Sequence, residues 1–211
     1  MVVGSSVRIS SVGCESADIG GSCITFQTTV TYFGVHLDQT LSVKKHISSL
    51  CHTTFLALRR IASIRPFLSN NSTEKIIASM ITSRLDYCSA TFAGVADEQI
   101  AHIQKIQNNA ARLILKKSKR DHVTPLLKEL HWLPVKYHIQ YKFATLAFRH
   151  FDGTLPPYLS SSLCTYQPSR SFRSSTERLL KIPKSYLKTF GERSFGYIAP
   201  TVCRPTRCRP T

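Results

Sequence analysis

The stretch SVKKHISSLCHTTFLALRRIASIRP, residues 42–66, decides the fold class. Ile47, Leu50, Thr54, Leu58 and Ile61 recur in it at steps of three and four. At roughly 100° per residue these five positions fall within about 80° of one another. Lys45, His52 and Arg59 fall on the opposite side, where only Leu56 interrupts a polar face. This is the pattern of a long amphipathic helix, with Ser42 placed to cap its start and Pro66 to stop it.

The same plan repeats downstream. Asn71 can cap a second helix while Glu74 reaches back to it, with Ile77, Met80, Ile81 and Leu85 supplying the buried side and Gly94 closing the segment. After Asp97 a third helix carries Ile100, Ile103, Ala110 and Ile114 on one face and Lys105, Arg112 and Lys116 on the other. Thr124-Pro125 reads as a cap followed by proline at the first helical position, so a short helix should run to about Leu130 before Trp132 and Pro134 break it. Another spans Val135 to His150 with Ile139, Phe143, Leu146 and Ala147 inward, and Gly153 and Pro156-Pro157 end the helical region.

Upstream of residue 41 the period is that of strands: Val7 to Val12, Cys23 to Gln27 and Thr31 to Leu37, with Gly20-Gly21 turning between the first two. From Tyr166 the composition shifts to Ser, Arg and Pro, in which Leu179 to Ile182 can form a strand and Phe190 to Ala199 a short helix. The end, from Cys203, is low in complexity and is expected to be disordered. The expected fold is therefore mainly α: a helical bundle preceded by a small antiparallel β-sheet, with a flexible basic C-terminal region. Its expected divisions are residues 1–40, 41–120, 121–165 and 166–211.

Charge gives the first functional signal. The chain has 28 Lys and Arg against 12 Asp and Glu, a formal +16, with a pI near 9.9. Such an excess favours a polyanionic partner, nucleic acid before an anionic membrane. The basic residues cluster: Lys116, Lys117, Lys119 and Arg120 in one run, then Arg170, Arg173, Arg178, Lys181 and Lys184 interleaved with Phe172 and Tyr186. No run approaches the roughly 18 apolar residues of a membrane span, and Met1 to Gly21 is too polar for a signal peptide, so an intracellular protein, nuclear or cytoplasmic, is expected.

Catalytic signals are lacking. Asp38, Asp86, Asp121, Asp152 and Glu192 stand apart from other acids, and Asp97-Glu98 sits where a helix start is expected. Two-metal phosphoryl transfer needs carboxylates converging on ions about 4 Å apart, so polymerase or nuclease chemistry is not expected of this chain. The eight histidines and seven cysteines show no zinc-binding spacing and no CxxC pair, and neither a GxSxG elbow nor a phosphate-cradling glycine loop is present. No cofactor, metal site or catalytic residue is expected.

Several phrases, collinear from about Thr31 to Thr201, resemble the C-terminal half of LINE-type (non-LTR) retrotransposon reverse transcriptases of the jockey-like kind. They include Tyr32-Phe-Gly-Val-His-Leu-Asp38, Leu41-Ser-Val-Lys-Lys-His-Ile47, Ser83-Arg-Leu-Asp-Tyr-Cys88, Ile106-Gln-Asn-Asn-Ala-Ala-Arg-Leu113, Asp121-His-Val-Thr-Pro125 and Leu130-His-Trp-Leu-Pro134. The likeness continues through Pro156-Pro-Tyr-Leu159, Pro168-Ser-Arg-Ser171 and Leu187-Lys-Thr-Phe-Gly-Glu-Arg-Ser-Phe195 to Ala199-Pro200. It implies that Thr31 to Asp38 is a palm strand with a primer-grip-like segment at Tyr32, Phe33 and Gly34. It further implies that the helices from Ser42 to about Lys117 form a thumb-like region. The family's metal-binding Asp pair, in a Tyr-any-Asp-Asp motif, has no match here, and after Thr201 the chain departs from the family, with Val202-Cys-Arg-Pro where a Trp-Asn-like phrase usually stands.

The expected function is thus a fragment of an RNA-directed DNA polymerase that keeps a nucleic-acid-binding thumb without the catalytic centre. Its partner would be RNA or DNA, a template-primer duplex in particular. The candidate binding residues are Lys45, Arg59, Lys105, Arg112, Lys116, Lys117, Lys119 and Arg120. The rival expectations are a translated remnant of a mobile element with no present role, and one piece of a longer active polymerase that supplies the missing palm and fingers.

Overall fold

The computed structural model describes residues 1, 3, 16–166, 179–187 and 191–203. The chain separates into two compact units, Met1–Val135 and Lys136–Thr211. As expected, it is mainly helical, with small antiparallel sheets ahead of the helices.

The first unit opens with two hairpins, β1 (Ser16–Ile19) with β2 (Ser22–Thr25) and β3 (Thr29–Tyr32) with β4 (Val35–Asp38). Gly20-Gly21 makes the first turn, as read from sequence, though the strand ahead of it is Ser16–Ile19; the expected strand at Val7 to Val12 lies outside the described residues. The single strand expected over Thr31 to Leu37 is instead the tip of the second hairpin. Phe33 at φ 46° and Gly34 at φ 75° form its two-residue loop, and positive φ at both positions is what lets a two-residue turn match the right-handed twist of its strands. Glycine signals such a turn; a phenylalanine in it does not, which is why the pattern reads as one continuous strand.

Helix α1 (Lys44–Ile64) buries His46, Ile47, Thr54, Ala57, Leu58 and Ile61 and leaves Lys45, His52 and Arg59 exposed. Its entry is held chiefly by Asp38, and the Ser42 hydroxyl adds a long bond of 3.4 Å from Lys44 N. Asp38 accepts from the Ser42 backbone at 2.7 Å, from the Ser42 hydroxyl, and from the Thr40 hydroxyl at 3.1 Å. These bonds fix a segment in which Leu41 and Val43 both lie at positive φ, a conformation that a β-branched residue rarely adopts.

A tight turn over Arg65–Phe67 follows. Helix α2 (Asn70–Ile77) is capped by Ser69, whose hydroxyl accepts from Ser72 N at 3.1 Å, two residues before the expected Asn71. A π-helical segment, Ala78–Thr82, joins it to α3 (Ser83–Asp86). In its wider turns the residue four on stays beneath Ile77 while the residue three on swings out. Ile77 and Ile81 are accordingly buried, and Met80, expected in the core, is 42% exposed.

Helix α4 (Asp97–Ile114) buries Ile100, Ile103, Ile106, Ala110, Ala111 and Ile114, with Asp97 and Glu98 in its first turn where acids favour the helix dipole. Leu58 and Ile61 of α1, Ile77 and Ile81, and Ile106, Ala110 and Ile114 of α4 form one cluster. Each fully buried isoleucine there contributes roughly 1.5–3 kcal/mol. Helix α5 (Val123–Glu129) starts at Val123, ahead of the expected Thr124 cap, and Leu126 and Leu127 pack with Ala111. The phrase that follows it is seated by amides of α4: Gln107 Nε2 donates to Leu133 O at 2.9 Å and Gln104 Oε1 accepts from Val135 N at 2.8 Å.

The second unit carries most of α6 (Val135–Phe151), then α7 (Pro157–Ser160) and α8 (Phe195–Val202). Ile139, Phe143 and Ala147 are buried, and Phe143 stacks on Phe195 with ring centroids 6.1 Å apart. The strand expected at Leu179 to Ile182 reduces to one bridge, Thr165 with Leu180. The helix expected from Phe190 begins at Phe195 among the described residues. Arg170, Phe172, Arg173, Arg178 and the end beyond Cys203 lie outside them.

Candidate nucleic-acid interface

The carboxyl ends of α1 and α4 are brought together by a residue that the sequence pattern does not single out. Arg65, at the end of α1, is 5% exposed. Its guanidinium donates from Nε to Leu113 O at 2.9 Å and from Nη2 to Ile114 O at 2.8 Å. It also donates to Leu68 O at 2.6 Å and to Asn70 Oδ1. A helix ends with four carbonyls that lack intrahelical partners. In α4 these are all accounted for: Ala111 O accepts from Leu115 N, Arg112 O from Lys117 N, and Leu113 and Ile114 from Arg65. A positive charge at that end also suits the helix dipole. Arg65 is therefore used up by the fold, and its neighbours are left to face outward.

Those neighbours surround a cleft of about 350 Å³. Rows one turn apart on each helix line it: Phe55, Arg59 and Ala62 on α1, and Asn109, Arg112 and Leu113 on α4, with Lys116 in the same row just past the end of α4. Lys117 and Lys119 complete the rim. Among the described residues no Asp or Glu lines it. The carboxylate nearest in sequence, Asp121, accepts from Ser118 N at 2.7 Å and so closes the loop that carries the lysines.

Of the residues nominated from sequence, Arg59, Arg112, Lys116, Lys117 and Lys119 thus converge on one cleft. Lys105 is exposed about 10 Å up α4 from Arg112, and Lys45 about 21 Å up α1 from Arg59, by helical rise. Arg120 is exposed beside the rim without lining it. Arg112 is less free than its pattern implies. It is half-buried, donates to Asp121 O at 3.2 Å, and keeps its Nε out of contact with water and without a protein partner. Lys116 is past the end of the helix proper, at φ 52°. Sequence reasoning missed Arg65 and Phe55. The four-residue step from Phe55 to Arg59 is the signal that points to the second; nothing local points to the first.

A second cleft, of about 450 Å³, lies between the second hairpin and α1, lined by Gly34, His36, His46, Ser49, Arg84 and Tyr87 among others. Tyr32 and Phe33, beside Gly34 at the hairpin tip, are 63% and 74% exposed. Several polar groups here bond back to the chain: Tyr87 OH donates to Phe33 O at 2.8 Å, Thr31 Oγ1 pairs with His36 Nδ1 at 2.9 Å, and His46 Nδ1 accepts from His36 N at 3.5 Å, while Arg84 is exposed at the rim. Burial and the charge of His36 hold the His46 imidazole below its ordinary pKa.

Among the described residues no group of three or more His, Cys, Asp or Glu is placed to hold a metal ion, and no helix is long and apolar enough to cross a membrane. Comparison of the chain with protein-family models, curated proteins and solved structures finds no match.

Proposed function

We propose that this chain is a nucleic-acid-binding fragment of a retrotransposon-type reverse transcriptase, a thumb-like region without the catalytic Asp pair. The observation that carries the proposal is the convergence of Arg59, Arg112, Lys116, Lys117 and Lys119 on one cleft that no Asp or Glu lines among the described residues. Such a surface lowers its own repulsion by taking up phosphates and releasing their counterions. Amine and guanidinium groups without a base-reading set hold a backbone and do not select sequence. In this reading RNA or DNA is the partner, and primer extension belongs to residues that the chain lacks.

A salt titration of binding tests this. Arg59→Ala, Lys117→Ala and Lys119→Ala together remove three exposed cations with no helix-core role. They should flatten the logarithmic salt dependence for duplex or hybrid by roughly two to three units, at about 0.9 per phosphate. Arg112 is left intact because its contacts to the loop would confuse folding with binding. Equal slopes in wild type and triple variant, both folded by circular dichroism, would favour the rival reading of a remnant whose charged face is merely solvated.

A further inference from the structure

The cleft between α1 and α4 joins two chemistries, of which phosphate binding needs only one. Its rim is cationic, but Phe55, Leu58, Ala62 and Leu113 give it an apolar floor, and Phe55 keeps 46% of its surface in water. A duplex keeps its base faces stacked inside and turns its phosphates out, so it would satisfy the rim and leave the floor bare. A single strand offers both parts, an unstacked π face and the phosphates on either side of it.

Resting on the nucleic-acid reading above, we infer that this cleft holds an unpaired nucleotide of a single strand, its base stacked on Phe55 and its flanking phosphates on Arg59, Lys117 and Lys119. The spacing suits the task. Phe55 and Arg59 are one helical turn apart, so base and phosphate are met side by side on one helix face. Among the described residues Asn109 is the only neutral amide lining the cleft, and its Oδ1 accepts from Arg112 Nη1 at 3.5 Å. Few groups are thus left to read a base edge, and recognition should be tolerant of sequence.

The test uses the full 211-residue chain and fluorescence anisotropy with three probes: a short labelled single strand of mixed sequence, the same strand made abasic, and the blunt duplex. The intact single strand should bind more tightly than either of the others, by about tenfold over the abasic strand. Phe55→Ala should cost the intact strand about as much while leaving abasic strand and duplex unchanged, and Phe55→Trp should restore the difference. If Phe55→Ala did not fold, the intact and abasic strands compared on wild type would decide alone. Equal binding of those two strands, or a folded Phe55→Ala with undiminished single-strand affinity, would remove the base from the cleft and leave the phosphate-binding reading standing. No binding to any probe would overturn both.

Discussion

The two halves of α1 each border a cleft, and the clefts differ in how much of their polar lining is paired within the chain. They differ also in how many cations they gather, Arg84 in the first against Arg59, Arg112, Lys116, Lys117 and Lys119 in the second. Beside the amino-terminal half, Thr31, His36, His46 and Tyr87 bond to one another or to the backbone. Beside the carboxyl-terminal half, Arg59, Lys116, Lys117 and Lys119 gather with no lining acid among the described residues. Only Arg65 there is fully engaged, and its engagement is what sets the others around a shared space. Polar groups paired within the chain fix a fold; cations assembled without a lining counter-charge repel one another, which is the property the proposed binding would relieve.

The strongest way to break this contrast is to remove Arg65. Arg65→Met would leave the carbonyls of Leu68, Leu113 and Ile114 without their donor, and a buried unsatisfied acceptor costs about 1–3 kcal/mol. A loss of about 3 kcal/mol or more is expected in urea unfolding. Under native conditions binding at the basic cleft should weaken while the histidine NMR signals of the other cleft stay in place. A loss below about 1 kcal/mol would mean that water replaces the guanidinium and that Arg65 does not organise the site.

Acid should act on the other half first. Burial and the charge of His36 lower the pKa of His46, so on acidification the unfolded chain takes up this proton before the folded one. The contribution of neutral His46 is present above its ordinary value of 6.5 and is lost as pH falls from there towards the lower folded value. For Asp38 burial pushes upward, but the bonds from Ser42 and Thr40 outweigh it and the folded pKa is lowered. Its contribution is present above 3.8 and is lost as pH falls through that lower folded value. Unfolding midpoints against pH should therefore drop in two separate windows. His46→Phe should flatten the upper drop and Asp38→Asn the lower. A single drop untouched by either change would place the acid sensitivity elsewhere.

Much of this molecule is legible from residue periodicity, because a buried stripe at steps of three and four is a local property of the chain. The inward faces of α1 and α4 and the exposure of Lys45, Arg59 and Lys105 follow from it directly. What escapes is whatever depends on a partner distant in sequence. Arg65 reads as an ordinary helix-end cation before Pro66 until the end of α4 is placed against it. Met80 reads as core until the π-helical segment turns it out. The hairpin tip at Phe33-Gly34 reads as strand because a phenylalanine occupies a position that usually marks itself with Asn or Asp. The site was half visible for the same reason: the lysine run stands out in composition, but the apolar floor and the approach of Arg59 exist only after packing.

The finest comparison lies between two helix ends built alike. Lys116 after α4 and His131 after α5 hold the same position, at φ 52° and 54°, and the next residue in each closes back onto the helix, Lys117 N to Arg112 O at 2.9 Å and Trp132 N to Leu127 O at 2.8 Å. Glycine is the residue this position prefers, because a Cβ at positive φ is strained. Lys116→Gly and His131→Gly should each therefore stabilise the chain, by about 0.5–1 kcal/mol after the greater freedom of unfolded glycine is counted. Their effects on binding should differ. Lys116 lines the basic cleft and His131 does not. Lys116→Gly should flatten the salt dependence by about one unit, and His131→Gly should leave it unchanged. Stability gained together with binding lost would show a lysine kept at a strained position for its charge. Equal binding by the two variants would show that Lys116 stands at the rim without touching the nucleic acid, and the cleft's contacts would then rest on Arg59, Lys117 and Lys119.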